Sequence, residues 1–330
     1  MAQPRVLITG AGGFIGRHLV RHQLELGRQV RALDRDVAGL ADVRSLDRLE
    51  VLKGDVADVD VQRRAVEGAD LVFHLASAHL ETGLSDAEYR RINVAAVQTL
   101  LEESRAAGVR RFVHVSSCGV HGQVVSSPAD EDTPFRPDIT YERTKLEGEL
   151  LAREFHIRCG FPVVVVRPVW VYGPGCNRTA RLYRLISNGR FLMVGSGANR
   201  RSAVYISDFL DALELCATRQ DGDGEVFIVA HDEEVTVGQV VDEIARLVGT
   251  SRPRLRLPLW IARVGAASVE ALARMLGRQP FISRRSLKFF TTDAGFTSAK
   301  AQRMLGFEPR VPLRKGLELT YEWWRESAGG

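Results

Sequence analysis

Tyr141-Glu-Arg-Thr-Lys145 sets a phenol and an ammonium four residues apart in a stretch with helical patterning, which puts both on one helix face. A free phenol titrates near pH ~10, and a neighbouring cation favours the phenolate and pulls that value down. Tyr141 can then exchange a proton with a substrate hydroxyl or carbonyl near neutral pH. Chance supplies many such pairs, so the serines matter. Ser116-Ser117 ends the apolar run 112–116, and a strand there would carry hydroxyls to the sheet edge where open α/β folds bind ligands. Ser117 can donate to the reacting oxygen. The competing account is a capping serine and a surface Tyr/Lys pair.

A second group of residues suits a dinucleotide. Gly10, Gly13 and Gly16 follow the apolar run 6–9 and open a helical stretch, with Phe14 and Ile15 between the last two glycines. Such glycines permit a tight turn and let backbone N–H groups approach a pyrophosphate at a helix N-terminus. Asp34 stands 18 residues past Gly16 at the end of the next apolar run, where a carboxylate would accept bonds from the adenine ribose. It repels the 2′-phosphate of NADP and so favours NAD; Arg35 beside it keeps NADP open. Asp55 and Val56 would lie near the adenine, and Leu75, Ala76 and Ser77 beside the pyrophosphate.

These groups need a scaffold. Six short, β-branched apolar runs (6–9, 29–33, 49–52, 71–75, 112–116 and 162–166) alternate with helical stretches that include 17–26, 86–107 and 141–159. Near-continuous apolar runs suit parallel strands buried on both faces. The expected fold is α/β: a Rossmann doubly wound parallel sheet with a smaller, interleaved C-terminal substrate domain. Residues 1–168, completed by 202–230 with a last strand at 225–229, would form the dinucleotide-binding unit. Residues 169–201 and 231–330 would form the substrate unit, with loops expected at 172–177 and 195–199.

Composition excludes several classes. The 330 residues are 45% hydrophobic and 26% charged, ordinary for a globular chain. A net charge of +4 with scattered arginines gives no footprint for nucleic acid. The four cysteines (Cys118, Cys159, Cys176, Cys216) form no CxxC pair and the eight histidines no HxH or HExxH array, so neither disulfides nor a metal is expected. No signal peptide precedes the run at Arg5, and no uncharged apolar run of about 20 residues could form a transmembrane segment. A cytoplasmic enzyme with a small-molecule substrate is the reading.

Taken together, these residues resemble the extended short-chain dehydrogenase/reductases, the NAD-dependent epimerase/dehydratase family. The resemblance covers essentially the whole chain: the glycine loop, Asp34, Asp55-Val56, His74–Ala76, Asn93-Val94, Ser116–Gly122, Tyr141–Lys145, Arg167-Pro168 with 171–175, and 298–309. It implies Tyr141 as acid/base, Lys145 as its helper and ribose ligand, and Ser117 as donor to the substrate oxygen. It also implies Ser116 and Asn93 at the cofactor, Pro168 and Val169 at the nicotinamide, and a homodimer. His79, Cys118, Trp170 and Arg201 are the candidate substrate contacts.

Departures narrow the reaction. Cys118-Gly119 stand where sugar-nucleotide 4,6-dehydratases carry an Asp-Glu pair, which disfavours elimination. Trp170 replaces the asparagine that epimerases usually place before the 171–175 segment, and 278–292 holds no Arg-x-Gly-Asp element. Arg201, in contrast, resembles the epimerase phosphate arginine, or is a solvated surface residue. The stretch 257–276 resembles the variable region of 3β-hydroxysteroid dehydrogenase-like members. Its stripe of Ile261, Val264, Val269, Leu272 and Leu276 reads as core of the small unit, as the cover of a bulky apolar substrate, or more weakly as a peripheral membrane contact. The leading expectation is interconversion of a secondary alcohol and a ketone; the alternative is a nucleotide-sugar epimerase holding NAD tightly.

Overall fold

The computed structural model describes residues 4–79, 84–252, 256–275, 287, 289–290 and 292–328, with the backbone alone over 270–275 and at 328. Its strands, in chain order, are β1 (Arg5–Thr9), β2 (Gln29–Asp34), β3 (Leu49–Lys53), β4 (Leu71–His74), β5 (Arg111–Val115), β6 (Val163–Pro168), β7 (Trp170–Tyr172), β8 (Met193–Val194), β9 (Arg200–Arg201), β10 (Ala203–Tyr205), β11 (Val226–Val229), β12 (Val235–Thr236) and β13 (Arg256–Leu257). Seven of them form one parallel sheet in the order β11-β6-β5-β4-β1-β2-β3. Each of the apolar runs read from the sequence is a strand of this sheet, within a residue at each end except that β6 runs two residues further, to Pro168. All residues of β5 and β4 are buried, as a sheet covered on both faces requires.

The helices are α1 (Phe14–Glu25), α2 (Val59–Val66), α3 (Asp86–Arg90), α4 (Ala96–Ala106), α5 (Thr140–Cys159), α6 (Asn177–Ser187), α7 (Ile206–Thr218), α8 (Val237–Leu247), α9 (Leu259–Met275), α10 (Ala299–Leu305) and α11 (Leu313–Ala328). Helices α1 and α7 pack on one face of the sheet and α2, α4 and α5 on the other, each burying one apolar stripe. The chain reverses direction in the sheet between β1 and β4, the switch point where such folds open a ligand crevice.

The expected helix 86–107 carries a π-turn at Arg91–Ala95 between α3 and α4. Its cause is tertiary. Gly148 of α5 comes so close that a Cβ there would stand 2.2 Å from the Asn93 carbonyl oxygen. The wider turn suits an extra residue and a re-aimed carbonyl at that crossing.

Helix α9 overturns the stripe expected of it as core. Ala262 and Ala266, one turn apart, are the buried face, packed with Val194 and Leu287. Val264 is 61% exposed and Ile261 38% exposed. The small residues face this cluster, which leaves Ile261 and Val264 outward. The Leu272 and Leu276 side chains lie outside the described residues. Among the described residues, no helix is long and apolar enough to cross a membrane.

Candidate active site

Helix α5 delivers two of the three catalytic candidates. Its start is fixed by Glu142, whose carboxylate accepts from the backbone N–H groups of Asp138 at 2.8 Å and Ile139 at 3.3 Å. It ends at Gly160, in the left-handed conformation with φ 63°. Tyr141 therefore sits in the first turn, and Lys145 one turn on, buried to 3% exposure. Lys145 Nζ donates to the Val115 carbonyl at 2.6 Å, anchoring the ammonium at the C-terminal end of β5. Burial lowers its pKa to about 8, against a smaller upward pull from Glu149.

Ser117 leaves that strand end in extended conformation and caps the short 3₁₀ turn Cys118–His121. Its Oγ accepts from Gly119 N–H at 3.0 Å, so the hydroxyl proton is left for another acceptor. Ser117, Tyr141 and Lys145 line one cavity of about 1660 Å³. Ser116 lines the same cavity, and its hydroxyl donates at 2.7 Å to Glu149, a carboxylate with no exposure.

Glu149 is the residue that the reading of the sequence missed. It pairs with Arg167 of β6, itself 1% exposed, through Nε at 3.0 Å and through Nη2. Arg167 Nη1 also donates to the Glu131 carbonyl at 3.1 Å and faces His121 Nε2 at 3.1 Å. Burial and the Arg167 charge push His121 down to about 4, so it is a neutral acceptor. The signal was present in the spacing 141/145/149, which extends the same helix face by one turn. This network holds β5, α5 and β6 in register beneath the reacting groups.

The glycine loop turns between β1 and α1. Gly10 has φ 72°, and a Cβ on it would meet Ala76 N at 2.7 Å. A Cβ on Gly16 would stand 2.0 Å from the Gly10 carbonyl oxygen. Gly13, the N-cap of α1, differs: a Cβ there would meet only the Gly10 oxygen, at 3.3 Å, and no side chain caps the helix. The open space at Gly13 and the uncapped N–H groups fit a pyrophosphate approaching the helix N-terminus. Asp34 ends β2 with Oδ2 accepting from Gly12 N–H at 2.9 Å and Oδ1 from Asp36 N–H at 3.1 Å. The Asp34 carboxylate thus sits at the loop, beside Arg35.

Phe14, Ile15, Asp55, Val56, Leu75, Ala76, Ser77, Pro168 and Val169 line the same cavity. The Asp55 carboxylate accepts from Ala57 N–H and pairs with Arg91 at 2.9 Å. Ser77 has a buried Oγ with no hydrogen-bond partner among the described residues, a polar group that fits a ligand with hydroxyls or phosphates. Asn93 lies one layer behind the wall. Its amide accepts from Ala78 N–H at 2.8 Å and donates to Thr144 Oγ1 at 3.0 Å, so it latches the 75–78 segment to α5 rather than facing the cavity.

At the other end the cavity widens into an apolar chamber formed by Trp170, Phe191, Leu257, Ala266, Phe289 and Phe290. Trp170 meets Phe289 edge to face, with centroids 5.9 Å apart. Cys118 contributes a buried thiol that donates to the Arg167 carbonyl and is pushed well up by burial, so it supplies no acid or base near neutral pH. His79 packs edge-on against the Tyr141 ring, centroids 4.9 Å apart. Arg201 is no solvated surface residue: its guanidinium lies 5.0 Å from the Phe289 ring centroid, and burial lowers its pKa to about 10. Arg178, Arg181 and Arg190, which the sequence reading did not single out, also line this end.

Comparison with known proteins follows the same geometry. The family model described as "NAD dependent epimerase/dehydratase family" matches residues 6–230. The chain is 30% identical to a dTDP-glucose 4,6-dehydratase of Streptomyces niveus, over 98% of this chain and 93% of that protein. It is 32% identical to the sterol demethylase protein B of Methylococcus capsulatus, over 97% and 98% respectively. Among solved structures, MoeE5 in complex with UDP-glucuronic acid and NAD superposes with a TM-score of 0.78 at 30% identity, covering 98% of this chain and 99% of that one.

Proposed function

This chain belongs to the NAD-dependent epimerase/dehydratase family, and we propose that within it the protein interconverts a secondary alcohol and a ketone by hydride transfer. Its cofactor is NAD. When bound, the nicotinamide accepts or supplies the hydride; the rest of the chemistry belongs to the chain. Gly10, Gly13 and Gly16 with Asp34 would hold the adenosine and pyrophosphate, and Pro168, Val169 and Lys145 the nicotinamide riboside. Tyr141 takes the proton of the carbinol as the ketone forms and returns it in reduction. Ser117 donates to the same oxygen and holds it against the phenol. The Lys145 cation favours the phenolate form.

The observation that carries the reading is one continuous cavity. It runs from the glycine loop past Ser117, Tyr141 and Lys145 into a chamber walled by Trp170, Phe289 and Phe290. Such a chamber supports a substrate with an apolar body. A relative named for sterols is as similar to this chain as one named for dTDP-glucose. Cys118 and Gly119 offer no acid–base pair for elimination, which argues against a dehydratase. We further propose residues 169–201 and 231–330 as the substrate unit, and a homodimer as the assembly.

A nucleotide-sugar epimerase is the second reading, favoured by buried Arg201 with Arg178 and Arg190 at the chamber, which suit a diphosphate. The absorbance of reduced nicotinamide, followed with substoichiometric enzyme and a panel of apolar secondary alcohols, separates the two. A dehydrogenase accumulates reduced cofactor over many turnovers. No accumulation with any alcohol, together with epimerised sugar nucleotide, would replace the first reading by the second.

A further inference from the structure

The outer face of α9 carries exposed apolar side chains that nothing among the described residues covers. Trp260 is 69% exposed and Val264 61% exposed, and the two lie one helical turn apart, opposite the buried face of Ala262 and Ala266. Beside them, Ile261 and Leu192 are both exposed and part of the cavity lining, so they form a rim of the apolar chamber. The patch is therefore continuous with the substrate chamber.

Charge around this rim is one-sided. Residues 177–201 carry six arginines and no carboxylate, and residues 249–275 carry five arginines against Glu270 alone. The two segments meet where β8 pairs with β13. Since the whole chain is only +4, the remainder is net acidic and the cationic excess is gathered here. Arg190, Arg256 and Arg263 are exposed around the apolar side chains. A Trp and three aliphatic residues ringed by arginines match an anionic bilayer interface, where the ring sits at headgroup level and the cations meet lipid phosphates.

We propose that α9 and the 190–194 segment dock on an anionic membrane surface, so that an apolar substrate enters the chamber from the bilayer. The entry route rests on the apolar-substrate reading above; the docking itself does not, and is tested without turnover. The test is co-sedimentation of the full chain with vesicles of phosphatidylcholine alone or mixed with phosphatidylglycerol. Binding is expected to be about tenfold or more tighter on the anionic vesicles and to fall in high salt. The pair Trp260→Ser and Val264→Ser should lower it about tenfold while leaving turnover of a small water-soluble ketone unchanged. Equal binding to both vesicle types, no binding to either, or conversion of a wild-type dimer to a monomer by the double variant (seen in sedimentation velocity) would each overturn the proposal. Failure of the ketone reading would instead appear as absent turnover with vesicle binding intact.

Discussion

Lys145 carries the most exposed energetic consequence of a buried site. Its pKa is lowered to about 8 from the ordinary 10.5 by burial. Between those values the unfolded chain holds a proton that the folded chain has released, so stability of the cofactor-free protein rises with pH across that window. Urea titrations should show a gain on the order of 1–3 kcal/mol that is absent in Lys145→Met. Catalysis runs the other way: turnover that depends on the cation should decline as pH passes about 8. Tyr141→Phe keeps the ring that packs against His79 and removes only the phenol hydroxyl. It should lower kcat about 10²–10⁴-fold with NAD binding unchanged, measured by steady-state kinetics and cofactor titration. Asp34, held at the loop by Gly12 and Asp36 N–H groups, is the residue we propose to set the choice of cofactor. Asp34→Ala should shift the ratio of kcat/KM values toward NADP, and an unchanged ratio would remove it from that role.

Elements hold these residues through two contacts that differ in how far the sequence announces them. The face Tyr141–Lys145–Glu149 is legible as spacing alone, although the Arg167 partner, 18 residues on, is known only once β6 packs beside α5. Glu149→Gln would leave Arg167, 1% exposed, without its counter-charge and should cost about 3–5 kcal/mol in chemical denaturation. The crossing of α5 over the π-turn is illegible, because the turn arises from the approach of Gly148 to the Asn93 carbonyl and no local pattern encodes that distance. Gly148→Ala puts a Cβ 2.2 Å from that oxygen and should destabilise by about 1–3 kcal/mol, whatever the helix propensity of alanine would add. Strand positions are legible because full burial enforces continuous β-branched runs such as Val163–Val166, although β6 continues two residues further through Arg167 and Pro168. Helix α9 departs from the expected stripe because its inward face is built from alanines, and an apolar count gives them less weight than the outward Ile261 and Val264.

At the scale of the whole molecule, the sheet order puts the glycine loop after β1, and the ends of β4, β5 and β6, on one edge, with the catalytic face of α5 closing over it. The candidate site is therefore a property of the topology, and its proposed cofactor half is legible in the sequence because glycines, Asp34 and the Tyr/Lys pair have few other uses in that order. The substrate half depends on residues far apart in the chain, such as Trp170 and Arg201 against Phe289, which spacing does not reveal. The central claim is that hydride passes between NAD and a ketone carbon while Tyr141 handles the proton. Its most direct test is reduction of an apolar ketone by NADH deuterated at nicotinamide C4 on the transferred face, with the product examined by mass spectrometry and NMR. The account predicts one deuterium on the new carbinol carbon in repeated turnovers, and its loss in Tyr141→Phe. An alcohol formed without deuterium at that carbon, or label transfer undiminished in Tyr141→Phe, would contradict it.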